Sequence, residues 1–234
     1  MSEQPAPNFS YSNLNGRRTG VFYRTAALLL PGVRKVQAQI IPYAQAWQRA
    51  NLAALSAPGP LWVALGDSMS QGIGASAYDQ GWVGQLGRQL TRDGEPYRIV
   101  NLSVSGARVA DVTDRQLPAM EQLGVRPDLV TVLIGSNDMV RRKYRDTLPG
   151  AVGDLLRRLP PGTYIASLPN GQQVAAAVNA LIDQSVAQRQ LVAVDMRSRG
   201  PVSWKGRLAE DHFHPNDLGY AAMAKAFASA ITDR

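Results

Sequence analysis

The sequence predicts an α/β fold, a three-layer, flavodoxin-like, doubly wound sheet of five parallel strands. Five short apolar runs alternate with stretches of helical periodicity, which is typical of a parallel sheet covered by helices on both faces. The chain has 234 residues, of which 45% are hydrophobic and 18% charged. That length and composition suit one medium-sized α/β domain.

The five apolar runs are the predicted strands, and four of them are followed directly by Gly or a polar residue. In chain order they are Leu61–Leu65, Arg98–Val104, Leu129–Ile134, Tyr164–Leu168 and Leu191–Val194. The main predicted helices are Trp82–Thr91, Asp111–Leu123, Leu148–Leu159, Gln172–Arg189 and Asn216–Ile231. Ligands of such sheets bind beyond the carboxyl ends of the strands, so polar residues at those ends are candidates for a functional site.

Residues 1–56 are predicted to form a basic N-terminal tail and helical extension, and residues 57–234 the main domain. Residues 1–20 are rich in Ser, Asn, Gly and Pro, and we expect them to be mobile. From Val33 to Leu55 apolar residues recur at helical spacing, and Pro42 should kink or split that helix. Residues 1–60 hold six of the 25 basic residues and one of the 18 acidic residues.

The basic N-terminal part has two interpretations, a solvated face with a loose tail or a weak contact with an anionic membrane surface. Arg17-Arg18 and the apolar run Val21–Leu30 suggest an export signal, but Arg24 interrupts the run. We expect a cytoplasmic protein, with export by an atypical twin-arginine signal as the alternative. The sequence has no nucleic-acid-binding motif, so we expect no nucleic-acid partner.

Composition excludes several kinds of chemistry. The chain has no cysteine, which rules out disulfides, a catalytic thiol and thiolate metal sites. It has two histidines, His212 and His214, too few for a multi-histidine metal centre. Catalysis that depends on histidine must therefore use one of these two residues.

Four polar clusters lie at predicted strand ends or before the last helix. They are Gly66-Asp67-Ser68, Ser103-Val104-Ser105-Gly106, Gly135-Ser136-Asn137-Asp138 and Asp211-His212-Phe213-His214-Pro215. A serine hydroxyl is a poor nucleophile near pH 7 without a base, so Ser68 would need one of the two histidines. Asp211 lies three residues before His214, a spacing that can bring its carboxylate to the imidazole Nδ1. His214 is therefore the preferred base.

Acyl transfer also needs hydrogen-bond donors for a developing oxyanion. Gly106, the Asn137 side-chain amide and the N–H group of Ser68 are the candidates. Each has a simpler explanation taken singly: Gly106 allows a tight turn, Asn137 is a loop residue, and Ser68 caps a helix. These residues are all predicted to lie at the same edge of one sheet. Three unrelated structural roles at one place would be a coincidence, so a catalytic site is favoured.

These blocks resemble those of the SGNH hydrolases, also called the GDSL-like lipase/esterase family. The resemblance implies that Ser68 is the nucleophile, His214 the base and Asp211 its orienting acid. It also implies an oxyanion hole of Ser68, Gly106 and Asn137, the strand order 2-1-3-4-5, an acyl-enzyme, and no metal or organic cofactor. The expected protein is a serine esterase acting on carboxylic esters or thioesters; an acyltransferase and a protein that binds acylated glycans or lipids are the alternatives.

The sequence also contains candidate residues for binding the substrate. Met69, Met139 and Trp204 are candidate substrate-binding residues. The basic segment Met139–Arg145 either contacts an anionic leaving group or forms a solvated turn. The expected substrate is a small-molecule acyl ester or an acetylated carbohydrate.

Overall fold

The core of the protein is a five-stranded parallel sheet. A computed structural model describes residues 9–16, 30–169, 172–188 and 190–232. The sheet strands are β1 (Leu61–Gly66), β2 (Arg98–Asn101), β3 (Leu129–Leu133), β4 (Tyr164–Ala166) and β5 (Val192–Val194). Their order is β2-β1-β3-β4-β5 and every neighbouring pair is parallel. The predicted fold class and strand order are confirmed.

Helices connect the strands and cover the sheet. They are α1 (Pro31–Gln37), α2 (Ile40–Ser56), α3 (Trp82–Gly87), α4 (Val109–Asp111), α5 (Leu117–Glu121), α6 (Ser136–Val140), α7 (Arg142–Arg145), α8 (Leu148–Arg158), α9 (Gln173–Ala187) and α10 (Asp217–Thr232). A π-helical turn, Val112–Gln116, joins α4 to α5. A 3₁₀ turn covers Tyr78–Gln80. A small antiparallel hairpin, with two residues in each strand, pairs Thr91–Arg92 with Glu95–Pro96.

The sheet is covered on both faces, as its apolar strands require. Residues of α5, α8 and α9 pack in a buried cluster on one face, and residues of α3 and α10 pack in another on the opposite face. Every residue of β1 is buried. On the second face Trp82 stacks on Phe227, with ring centroids 4.0 Å apart and an interplanar angle of 7°.

The long N-terminal helix is split, as Pro42 suggested, but the break lies before the proline. Helix α1 ends at Gln37 and α2 begins at Ile40. Pro42 therefore occupies the first turn of α2, where an N–H group has no partner within the helix and a proline is tolerated. Helix α2 then packs its buried residues Ala44, Trp47 and Asn51 against the main domain.

Two predicted elements end at least three residues earlier than expected. Strand β2 ends at Asn101 rather than Val104, although Leu102 and Val104 still donate N–H bonds to carbonyls of β1. The helix predicted to begin at Trp82 ends at Gly87, because the chain then turns into the small hairpin. Asp93 and Gly94, both with positive φ, form that turn.

The described part of the N-terminal tail, residues 9–16, was wrongly expected to be mobile. Phe9 and Tyr11 pack against the core, and Asn13 is buried. Side-chain hydrogen bonds, which have no periodic sequence signal, hold this segment in place. Arg17, Arg18 and residues 21–29 of the apolar run lie outside the described residues. Within the described ranges, no helix has the length and apolar composition needed to cross a bilayer.

The packing of α10 gives a stability prediction. Phe227 is fully buried, whereas Leu218 on the same helix is 63% exposed. Phe227→Ala should lower the free energy of unfolding by about 3–5 kcal/mol, because it leaves a cavity beside Trp82. The matched control Leu218→Ala should change it by no more than about 0.5 kcal/mol. Urea unfolding of both variants measures the difference, and equal losses would contradict this account of the core.

Candidate active site

Ser68, His214 and Asp211 form a chain of hydrogen bonds at the carboxyl edge of the sheet. Ser68 Oγ lies 3.0 Å from His214 Nε2. His214 Nδ1 lies 2.6 Å from Asp211 Oδ2. Both ring nitrogens of one imidazole are thus engaged, one by a hydroxyl and the other by a carboxylate. This arrangement can move a proton from the serine while the carboxylate orients the ring.

The turn before α10 fixes the acid and the base. Asp211 Oδ1 accepts the N–H groups of Phe213 and His214 at 3.1 and 3.0 Å, so the carboxylate is held by its own turn. His212 has a φ of +55°, an unusual conformation for a residue with a side chain. His212 is exposed, and it is His214 whose ring contacts Asp211.

The turn that carries Ser68 is held from several directions. Gly66 has a φ of +151° and no room for a side chain beside the Leu133 carbonyl, which requires glycine there. Gln116, in the π-helical turn, accepts the Gly66 N–H and donates to its carbonyl, both at 2.8 Å. Ser68 is 4% exposed. Its neighbour Asp67 accepts hydrogen bonds from Ser136 Oγ at 2.6 Å and from the backbone of residue 69 at 3.0 Å.

The structure brings the predicted oxyanion donors to the same place. Gly106 has a φ of +76° and is exposed in the loop that follows β2. Asn137 Nδ2 donates to the Ala107 carbonyl at 2.9 Å and lies 3.4 Å from Asp67 Oδ2. The Asn137 amide therefore touches the residue after Gly106 and the residue before Ser68.

The carboxyl groups of the site have opposite pKa shifts. Burial favours protonation of Asp211, but its hydrogen bonds with His214 and the charge of that imidazole outweigh burial and lower its pKa. Burial raises the pKa of Asp67, although hydrogen bonds from Ser136 and the backbone of Met69 oppose the shift. Burial also raises the pKa of Asp138 to about 6, against the opposing effects of the Val109 N–H and the Arg108 charge.

The candidate substrate-binding residues lie in different surroundings. Trp204 lines an open hollow of about 650 Å³ together with Leu208, Glu210 and His212, next to the turn of Asp211. Met69 is half-buried beside the α3–α10 cluster. Met139 is 4% exposed and packs in the cluster on the other face, which leaves little of its surface for a ligand.

The basic segment after Asn137 forms α6 and α7. Arg141, Arg142 and Lys143 are exposed, and the Arg108 guanidinium lies 4.1 Å from the centre of the Tyr144 ring. In the part of the chain that the structure describes, no three His, Asp or Glu side chains group in a way that could hold a metal ion.

Sequence reasoning missed three residues that shape the site. Gln116 gave no signal, because its role depends on a π-helical turn. Asp67 was seen only as part of the Gly66-Asp67-Ser68 cluster, and its position after a buried strand could have indicated a buried carboxylate. Gln71 gave no signal either, yet it is fully buried and joins two loops of the site.

The chain is similar in sequence to known proteins. A sequence profile of the GDSL-like Lipase/Acylhydrolase family matches residues 64–222, more than half of the chain. Esterase TesA of Pseudomonas aeruginosa is 29% identical over 158 residues, which cover 64% of this chain and 77% of that protein.

Solved structures show the same fold. A crystal structure of TesA matches with a TM-score of 0.61 and 23% identity, covering 74% of this chain and 98% of that one. An acetyl xylan esterase of Geobacillus stearothermophilus matches with a TM-score of 0.58 and 20% identity, covering 74% and 95%. The esterase EstA of a Pseudoalteromonas species also has a TM-score of 0.58, with 19% identity, covering 74% and 97%.

The raised pKa of Asp138 gives a pH-dependent prediction. A folded-state pKa of about 6, above the unfolded value of about 3.9, means that ionisation of Asp138 destabilises the fold at neutral pH. Asp138→Asn removes this cost. The variant should be more stable than the wild type near pH 8, by on the order of 1–3 kcal/mol.

This advantage should shrink as the pH falls from about 6 to below about 3.9, because only below the lower pKa is Asp138 mostly protonated in both the folded and unfolded states. Urea unfolding of the wild type and the variant across this range measures the difference. An advantage that does not depend on pH would contradict the assignment to ionisation.

Proposed function

Because the chain belongs to the GDSL-like lipase/acylhydrolase family of ester-hydrolysing enzymes, we propose that it cleaves carboxylic esters or thioesters through an acyl-enzyme on Ser68. The observation that carries this proposal is the hydrogen-bonded chain from Ser68 through His214 to Asp211. A protein that only binds acylated ligands has no need of an acid and a base aligned on a buried serine.

In the first half of the reaction Ser68 Oγ attacks the carbonyl carbon while His214 Nε2 takes the hydroxyl proton. The carbonyl oxygen becomes an oxyanion, and the imidazolium is stabilised by the Asp211 carboxylate at Nδ1. When the tetrahedral intermediate collapses, the bond to the alcohol or thiol breaks and His214 returns the proton to that leaving group. The acyl group stays on Ser68.

In the second half of the reaction a water molecule enters the site after the alcohol or thiol has left. His214 takes a proton from the water as its oxygen attacks the acyl carbon, and the bond to Ser68 then breaks. The carboxylic acid leaves, and the proton on His214 returns to Ser68 Oγ. An acceptor alcohol would follow the same steps in place of water, so analysis of the products distinguishes transfer from hydrolysis.

The oxyanion donors in this proposal are the N–H groups of Ser68 and Gly106 and the Asn137 side-chain amide. The 3.4 Å separation between Asn137 Nδ2 and Asp67 is long for a hydrogen bond. This is the weaker of the two hydrogen bonds of the amide and the one that an oxyanion would replace, while the shorter bond to the Ala107 carbonyl orients the amide. Donors fixed in this way stabilise charge without reorganising during the reaction.

For the substrate we propose a small acyl ester or an acetylated carbohydrate. The similar solved structures include an acetyl xylan esterase. The open hollow beside Asp211, lined by Trp204 and Leu208, offers room for the alcohol part of such a substrate. Its aromatic and aliphatic walls suit the apolar face of a sugar ring.

Removal of the nucleophile is the direct test. Ser68→Ala should lower kcat on p-nitrophenyl acetate, butyrate or octanoate by several orders of magnitude and abolish labelling by a fluorophosphonate. The control Ser185→Ala removes a buried hydroxyl that donates to the Leu181 carbonyl of its own helix, and should keep both properties. Full turnover by folded Ser68→Ala protein would exclude the proposed mechanism.

The role of Asp211 can be tested with an isosteric change. Asp211→Asn places an amide against His214 Nδ1, which favours the tautomer in which Nε2 carries the proton and cannot act as a base. We expect kcat to fall by about 10³- to 10⁴-fold, as such changes do in serine hydrolases. Steady-state kinetics on p-nitrophenyl butyrate measures this loss, and a loss below tenfold would contradict the assigned role.

A further inference from the structure

We propose that Asn13, Asn51 and Gln71 are positioning residues for the oxyanion loop, defined as residues 102–107. This inference rests on the proposed function, because it concerns how Gly106 is held for catalysis. Asn13 and Asn51 lie before residue 64, where the match to the family profile begins. The N-terminal extension would therefore contribute to the precision of the site without contacting the substrate.

The first step of the argument is the position of β2 at the edge of the sheet. An edge strand lacks a neighbour on one side, so its backbone groups need other partners. Here side chains supply them. Asn13 Nδ2 donates to the carbonyls of Asn101 and Ser103 at 2.8 and 2.9 Å, and Tyr11 donates its hydroxyl to the Leu102 carbonyl at 2.6 Å.

Asn51 of α2 completes this edge. Its Nδ2 donates to the Asn101 carbonyl at 2.8 Å and its Oδ1 accepts the Asn101 N–H at 2.7 Å. Asn51 also donates to Asn13 Oδ1 at 3.2 Å. Two segments of the extension thus bind the end of β2 and each other through side-chain amides.

Gln71 connects this network to the nucleophile. It lies three residues after Ser68, in the same turn. Its Nε2 donates to the carbonyls of Asn13 and Ser103 at 2.8 and 3.0 Å, and its Oε1 accepts the Ser105 N–H at 3.0 Å. Ser105, the residue just before Gly106, is therefore joined to the turn of Ser68 by the Gln71 side chain. The backbone carbonyl of Asn13 holds that side chain in place.

The network is buried and hydrogen-bonded throughout. Asn13, Asn51, Gln71, Asn101 and Ser103 are each at most 2% exposed, and every one of them takes part in several of the contacts described above. Amide networks in a low-dielectric interior are strong when all members are paired, and costly when one is lost. Removing one member should therefore allow the oxyanion loop to shift.

A shift of the loop should affect the transition state more than substrate binding. The N–H group of Gly106 would act on charge that develops only during the reaction. A small displacement of a catalytic group can lower the rate by about 100-fold. The expected signature is a loss of kcat with little change in KM.

The test uses the full-length protein and two variants that each remove buried side-chain hydrogen bonds, three in Asn13→Leu and one in the control. Asn13→Leu removes the side-chain bonds to the Asn101 and Ser103 carbonyls and keeps the backbone carbonyl that Gln71 contacts. The control Thr131→Val removes the hydroxyl that accepts the Trp62 Nε1 bond at 2.8 Å, in the middle of the sheet. With p-nitrophenyl butyrate, well below both melting temperatures, we expect kcat to fall about 10- to 100-fold in Asn13→Leu, with KM changed less than threefold. The control should stay within twofold of the wild type.

Amide hydrogen exchange provides a readout that does not depend on turnover. Exchange in residues 102–107 should become faster in Asn13→Leu and remain unchanged in Thr131→Val. If Asn13→Leu does not fold, Tyr11→Phe removes only the hydroxyl bonded to Leu102 and should give the same pattern with a smaller, roughly threefold, loss of kcat.

The outcomes separate the two proposals. Equal kcat losses in the variant and the control, or unchanged exchange in residues 102–107, would overturn the positioning role even if the wild type is an esterase. Turnover that persists in Ser68→Ala would instead overturn the proposed mechanism. Faster exchange confined to the oxyanion loop would still support the structural link in that case.

Discussion

Main-chain pairing of β1 with β2 on one edge and β3 on the other determines where the site residues lie. The pairing continues to the last residue of β1, where Gly66 is opposite Leu133 and accepts the Val104 N–H at 3.2 Å. Three loops therefore leave the sheet side by side: the turn of Ser68, the oxyanion loop and the start of α6. Because both faces of the sheet are covered by helices, these loops can open only at its carboxyl edge.

Electrostatics at this edge depends on whether each buried carboxylate has a charged partner. Asp211 faces an imidazole that becomes cationic during the proposed reaction, and its lowered pKa keeps it ionised and able to stabilise that charge. Asp67 is paired chiefly with neutral donors, and burial raises its pKa. The opposite pKa shifts indicate different roles for the two carboxyl groups. Asp211 is suited to stabilise a positive charge, whereas Asp67 accepts hydrogen bonds that orient Ser136 and the turn of Ser68.

The sequence predicted the sheet and the cluster of polar residues because both depend on local patterns. Apolar runs identified the strands, and the spacing between Asp211 and His214 anticipated a contact that the structure places at 2.6 Å. Residues 9–16 and Gln71 could not be interpreted in the same way. Their partners are backbone groups about 30 to 90 positions away in the chain, and a side-chain bond to a distant carbonyl leaves no periodicity. Strand β2 was predicted to continue to Val104 but ends at Asn101, where side chains from distant parts of the chain bind its backbone.

Hydrogen bonds join the N-terminal extension, residues 1–56, to the main domain at several points. Besides the amide network, Trp47 donates to the Gln71 carbonyl at 3.0 Å, and Tyr43 donates to the Ala75 carbonyl at 2.9 Å. Lys35 pairs with Glu210, the neighbour of Asp211. Helices α1 and α2 thus reach two of the loops that carry proposed catalytic residues, while residues 9–16 reach a third. Chemistry of this kind tolerates little displacement of its groups, and the extension contacts all three loops that carry them.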